Sequence, residues 1–239
     1  MSGSFKTNEE TLKLIPLQYK SFLENVNLEG SYSSATLDFE KGAVVADYFF
    51  QGNQEYIQNY ADLVKEQLET STVNQFKITE PALLFTSAFN PEKTLAFILE
   101  NGGDKQFEET ISSDELGVST KDLFAMINGD VLISAGNIKV EGQPDADIEI
   151  IIGVKDEEKA KNLLDLLVSK GQLEVTGNHY SQNIMGMVPI LVTVRENTLI
   201  ITKDNTFGQS LIKGEGNTNE TLADKARNNS SLLFVNPSQ

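Results

Sequence analysis

The chain has 239 residues, with 35 Asp and Glu against 19 Lys and Arg, a net charge of −16, no Cys, no Trp and one His. That balance excludes a nucleic-acid binder, which needs a basic face to displace counterions from phosphate. It also excludes disulfides, thiolate nucleophiles and cysteine-held metal centres, and a lone His179 cannot furnish the imidazoles of a catalytic zinc site. Anionic membrane surfaces are disfavoured by the same charge. Arg195 and Arg227, the only arginines, are too few for the guanidinium forks that grip phosphorylated ligands. With 39% hydrophobic residues the chain has material for a sizeable core. No apolar run reaches the roughly 18 residues of a membrane-spanning helix. The longest, 185–194, is broken by Gly186 and Pro189. The first residues lack a charged-then-apolar signal pattern, which implies either a cytoplasmic protein or removal of a targeting segment.

In chain order, Thr7-Asn8-Glu9-Glu10 has capping-box spacing ahead of Leu12, Leu14 and Ile15, and Pro16 opens a second short helix through Leu23. Strands follow at 34–39 and 43–50, joined by a Glu40-Lys41-Gly42 hairpin turn. Asn53 starts a long helix whose stripe is Ile57, Tyr60, Ala61, Val64 and Leu68. A strand at 83–89 leads to Asn90-Pro91-Glu92, which places a capping side chain, a proline and an acid where a helix begins. The acidic stretch 104–115 reads as a loop, and Ser119 to Asp122 caps a short helix that Asn128-Gly129 ends. Strands at 131–135 and 148–154 come next, the second so continuously Ile-rich that it predicts cover on both faces. Asp156 caps a helix with the stripe Ala160, Leu163, Leu164 and Leu167, which Gly171 ends. A meander then occupies 173–202, with hairpin turns at Gly177-Asn178 and Glu196-Asn197. Asp204 caps a last short helix, 215–219 is a flexible loop, and 231–235 is a final strand.

One unit recurs: strand, Asn or Asp cap, amphipathic helix. The closest pair is Asn90-Pro91-Glu92-Lys93 and Asp156-Glu157-Glu158-Lys159. It admits two readings, an internal duplication or the shared look of capped strand–helix junctions.

Candidate sites follow from residue type. Asp145, Asp147 and Glu149 alternate into a strand and so share one face; with Glu141 they offer the oxygen ligands that Ca²⁺ takes, though without a calcium-loop motif. The alternative is a solvated acidic face. His179 is a general base only if a nucleophile accompanies it, and no Gly-x-Ser-x-Gly elbow is present. The loop 215–219 carries oxygen ligands without EF-hand register. The aromatics Tyr48, Phe49, Phe50, Tyr56 and Tyr60 are either a platform for a glycan or peptide or core packing.

The stretch 122–204 resembles an uncharacterised family of large exported proteins, many of them predicted lipoproteins of Gram-negative gut-type bacteria, known by a domain of unknown function. The likeness lies in Leu123-Phe124-Ala125-Met126-Ile127-Asn128-Gly129-Asp130, the Ile-rich strand with its Asp156 helix, Gly177-Asn178-His179-Tyr180, and Glu196-Asn197-Thr198-Leu199-Ile200-Ile201. The resemblance implies a cell-envelope location (periplasm, outer membrane or cell surface), a native chain that is longer, and attachment through a lipid anchor absent from this chain. It brings no catalytic residues and no cofactor.

The expectation is an α+β protein: mainly antiparallel sheet with amphipathic helices on one side, in two parts, 1–103 and 104–239, as two related halves if the repeat is a duplication. The final strand, 231–235, is expected at an exposed edge or as the opening of a next module. The expected role is a non-enzymatic binding or assembly module of the envelope, partnered by an envelope protein or glycan. The alternatives are a carboxylate- or Ca-dependent hydrolase and a purely structural assembly module.

Overall fold

A computed structural model describes residues 32–40, 43–54, 61–100, 118–139, 145–182 and 189–236. The two helices expected before residue 24, the loop 104–115, Tyr56, Tyr60 and Glu141 lie outside these residues. The chain is α+β. Its strands are β1 (Tyr32–Glu40), β2 (Ala43–Gln51), β3 (Pro81–Ala88), β4 (Ile127–Lys139), β5 (Asp145–Val154), β6 (Glu174–Thr176), β7 (His179–Gln182), β8 (Ile190–Arg195), β9 (Thr198–Lys203) and β10 (Ser231–Val235). The described helices are α1 (Thr70–Asn74), α2 (Pro91–Glu100), α3 (Thr120–Met126), α4 (Glu157–Ser169), α5 (Thr206–Ile212) and α6 (Glu220–Arg227). None is long and apolar enough to cross a membrane.

All ten described strands form one sheet in the order β1-β2-β10-β3-β4-β5-β9-β8-β7-β6, and every pairing among them is antiparallel. The division expected at 103/104 is bridged by the sheet itself, because β3 pairs with β4. The two best-matched strand–cap–helix junctions, β3–α2 and β5–α4, flank β4 and run in the same direction.

Ser231–Val235 is not an edge strand. It sits inside the sheet, with Leu233 opposite Phe85 in β3 and Phe234 opposite Val45 in β2. Its place was hidden because the partners lie some 150 and 190 residues earlier in sequence.

The register separates two faces. One face carries Leu84, Leu132, Ile151 and Ile200, all fully buried. Phe76, Ile78 and Leu222 pack on Leu84, Leu132 and Ile151, and α5 contacts β8 and β9. The other face carries Val192 and Val194, which α4 covers with Ala160 and Leu164. The helices, expected on one side, are thus divided between both. In β5 the cover is unequal: Glu149, Ile151 and Gly153 are buried on one face, while the other runs from exposed Ile148 through half-buried Ile150 and Ile152 to Val154, buried with Ala160 and Leu164 of α4.

The helix expected from Asn53 does not continue to Leu68. Residues 61–63 form a single 3-10 turn, after which Val64 bridges Phe89 and the Lys65 N–H donates to Ala88. Backbone pairing with the sheet outcompetes the helical period, and Val64 is exposed while Leu68 is buried. The last cap also shifts by one residue. Asn205, extended at φ −142°, accepts from Gly208 N at 2.8 Å, while Asp204 accepts from Gln209. Helices α1 and α6 lie in stretches where no element was expected.

The Asp156 cap is as expected: its Oδ1 accepts from Glu158 N at 3.0 Å and Lys159 N at 3.1 Å. Asp156→Ala leaves those donors to water, and should cost about 1 kcal/mol in urea unfolding. A loss indistinguishable from zero would mean the cap does not hold α4.

Candidate functional site

Residues 65–78 cross the Leu132–Ile151 face over β4 and β5, and three polar side chains of the sheet fasten them. The fully buried Asp130 of β4 accepts from Lys65 Nζ at 2.7 Å, Glu69 N at 2.7 Å and Thr72 Oγ1 at 3.1 Å. In β5, the fully buried Glu149 accepts from Lys77 N at 3.1 Å and Ile78 N at 3.2 Å. At the end of β8, Arg195 closes a fork on Gln75 Oε1 at 2.9 and 2.7 Å and donates to Ile212 O at 3.1 Å. Gln75 in turn donates to Glu196 at 2.9 Å. Between these anchors Val73 and Phe76 are fully buried. Burial pushes the Glu149 carboxyl up to about 8, against the pull of the two backbone donors. Desolvation lowers the affinity of Arg195 for its proton. A cavity of about 630 Å³ is lined by residues 64–70 at the start of this strap.

The calcium candidates are placed on one face, as alternation requires, but they do not converge on a cation. Asp145 is bonded to Lys203 and to its own neighbour's N–H at Ala146; the Lys203 bond holds its carboxyl below the usual range. Asp147 accepts from Asn137 Nδ2 at 2.6 Å and Asn205 Nδ2 at 2.9 Å. Glu149 is turned to the strap. Every lone pair so directed faces a nitrogen donor, whereas Ca²⁺ takes six to eight oxygens. Among the described residues no three His, Asp or Glu side chains gather as metal ligands.

His179 opens β7 opposite Thr176 and is half-buried. Its neighbour Tyr180 donates to Asp165 of α4 at 2.8 Å; burial, then that bond, pushes the phenol up to about 12. The 215–219 segment is not the free loop expected. Asn219 caps α6 through Leu222 N and donates to Thr79 O, and Thr218 accepts from Lys77 Nζ at 3.1 Å. Tyr48, Phe49 and Phe50 fall in β2, where the backbone alone is described.

The feature that no motif announced is on the opposite face. Leu233, Phe85, Ile133 and Ile150 are successive register partners across β10, β3, β4 and β5. Val235, Leu83, Ala135 and Ile148 form a second such row. Leu233, Phe85, Val235, Leu83 and Ile148 are each between 36% and 51% exposed. No charged residue occupies either row. The signal in the sequence was consecutive apolar residues, Leu83-Leu84-Phe85 and Leu232-Leu233-Phe234-Val235, which make both faces of a strand apolar. A strand covered on both faces and one with an open apolar face write the same sequence, so only the fold separates them. Comparison with protein-family models, curated proteins and solved structures finds no match for this chain.

Proposed function

We propose that this chain is a non-enzymatic binding or assembly module of the cell envelope, working through protein–protein contact on the apolar rows. The exposed Leu233–Phe85 and Val235–Leu83 rows carry this reading. Soluble proteins rarely leave contiguous apolar patches beyond a few hundred Å² unless a partner covers them. Strands lie about 4.8 Å apart, so the four of them span about 15 Å; the exposed residues lie on β10, β3 and at Ile148 of β5, while Ile133, Ala135 and Ile150 between them are half-buried. The buried carboxylates lend no competing chemistry, since Asp130 and Glu149 are engaged in holding the strap. The envelope location and lipid anchoring rest on the resemblance of 122–204, and the partner in this reading is an envelope protein.

The test is cross-linking and recovery of the full-length native protein from its own cells, alongside a Phe85→Asp variant. Recovery in the envelope fraction, with partners lost on substitution, is the expected result. A native protein found with the cytosol removes the location, and an unchanged partner set in the variant removes the apolar rows as the contact.

A further inference from the structure

We propose that Glu149 is a proton-gated latch for the far end of the strap. Carrying its proton, it holds Lys77 and Ile78 closed over β5; on losing it, that end opens with the loop at 214–219 while the sheet beneath stays folded.

The surroundings of the carboxyl supply hydrogen bonds but no ion pair. Glu149 is fully buried and accepts from Lys77 N at 3.1 Å and Ile78 N at 3.2 Å, bonds that either form of a carboxyl can take. From the strap, the Lys77 ammonium pulls on the carboxyl through space but donates to Thr218 Oγ1 at 3.1 Å. From β9 comes Thr202, whose hydroxyl donates to Ile148 O. From α6 comes the apolar Leu222. Two residues earlier on the same face of β5, Asp147 is a like charge, bonded to Asn137 and Asn205. A carboxylate charge formed at Glu149 is thus buried with no cation bonded to it, and an unpaired buried charge is costly. The neutral acid avoids that cost, and its proton has an acceptor within reach. Ser134 of β4 is its direct register partner, fully buried, and its hydroxyl has no other partner among the described residues.

Only the cover can move to relieve the charge. β4, β5 and β9 are interior strands, each paired on both sides. Residues 76–78 of the strap belong to no helix or strand. Their end is tied to the 214–219 loop, through Lys77 to Thr218 and through Asn219 Nδ2 to Thr79 O at 2.6 Å. That loop turns on Gly214 and Gly216, at φ +81° and +114°, and residues 213–217 are exposed. On the other side, the Arg195 fork on Gln75 and the Asp130 bonds to Lys65, Glu69 and Thr72 stop the opening from spreading. Opening admits water to Glu149 and uncovers Leu132 and Ile151, on which Ile78 packs.

Hydrogen exchange of the full chain from pH 5 to 8, corrected for the intrinsic pH dependence of amide exchange, is the test. An opening that releases one proton becomes about tenfold more populated with each pH unit between the ordinary value of 4.5 and the buried one of about 8. The Lys77 and Ile78 amides, both bonded to Glu149, should lose protection by that factor per unit. Low urea should leave their exchange unchanged, the mark of a local opening, while the Ile151 amide should respond to urea as whole-chain unfolding does. In Glu149→Gln the pH slope at Lys77 and Ile78 should vanish. Exchange of these two amides that tracks Ile151 in urea at every pH overturns the local opening. An equal slope in the variant overturns Glu149 as the latch, and so does wild-type protection that stays flat with pH, whether or not the variant folds.

Discussion

Asp130→Ala should destabilise the chain by about 3–5 kcal/mol, the cost of removing one member of a buried ionic cluster. The carboxylate is fully buried and serves three donors on three different residues of the strap: Lys65 Nζ, Glu69 N and Thr72 Oγ1. Alanine leaves an ammonium whose second bond, to Asn128 O at 3.3 Å, is longer, and leaves the Glu69 N–H and Thr72 hydroxyl without their acceptor. Unsatisfied buried groups carry their full desolvation cost, which is why one substitution outweighs any single contact it breaks. For a chain of this size each kcal/mol moves the melting midpoint by roughly 2–4 °C, so a fall of about 10 °C is expected. Thr72→Val tests the same account from the other side. It removes one donor and leaves the carboxylate its other two, and should cost only about 1 kcal/mol. A loss for Asp130→Ala as small as that of a surface substitution, under about 0.5 kcal/mol, would show that the strap is not held there.

What could be read from the residues, and what could not, follows from the range of the interactions. Helices whose ends are set by their own side chains were legible: Ser119 accepting from Asp122 N, Asp156 accepting from the next turn, and the two-residue turn at Glu196-Asn197 with φ near +49° and +57°. The meander between Glu174 and Lys203 pairs neighbours in sequence, and so it too was visible. The strap was not. Its first residues, to Leu68, end a helical stripe, but Asp130 and Ala88 lie more than 20 residues from Lys65 and claim its side chain and backbone. Likewise Glu149 reads as one of three surface acids by alternation, and only the strap laid over β5 makes it a buried one. The exposed rows were the least legible feature, since an apolar residue declares that it can be covered and not whether it is. The bonds of the calcium candidates were hidden for the complementary reason: spacing placed three carboxylates on one face, but spacing carries no information about Lys203, Asn205 or the Lys77 N–H, which donate to them.

Glu149→Gln should remove a pH dependence that the wild-type chain carries. The carboxyl is fully buried, and burial raises it from 4.5 to about 8 against the smaller downward pull of its two backbone donors and of the Lys77 ammonium, which donates to Thr218. Around it, β4 presents Ser134, β9 presents Thr202, and the strap presents two backbone N–H groups. The direction follows from proton counting. Between 4.5 and about 8 the folded chain keeps the proton and the unfolded chain has lost it. The unfolded state therefore binds fewer protons, and stability falls as pH rises through that window. Below it the contribution is fully present, and above it the loss is complete. At about 1.4 kcal/mol for each unit, the wild type should lose a few kcal/mol relative to the variant between the two ends. Glutamine keeps one oxygen to accept from Lys77 and Ile78 but has no proton to lose, so the difference between wild-type and variant unfolding free energies isolates this one group from every other carboxyl. Urea unfolding at pH 5, 6, 7 and 8 measures it. A wild-type-minus-variant difference that falls steadily with pH is the expected curve. A flat difference would place the ionised carboxylate, held by its backbone donors, beneath the strap throughout.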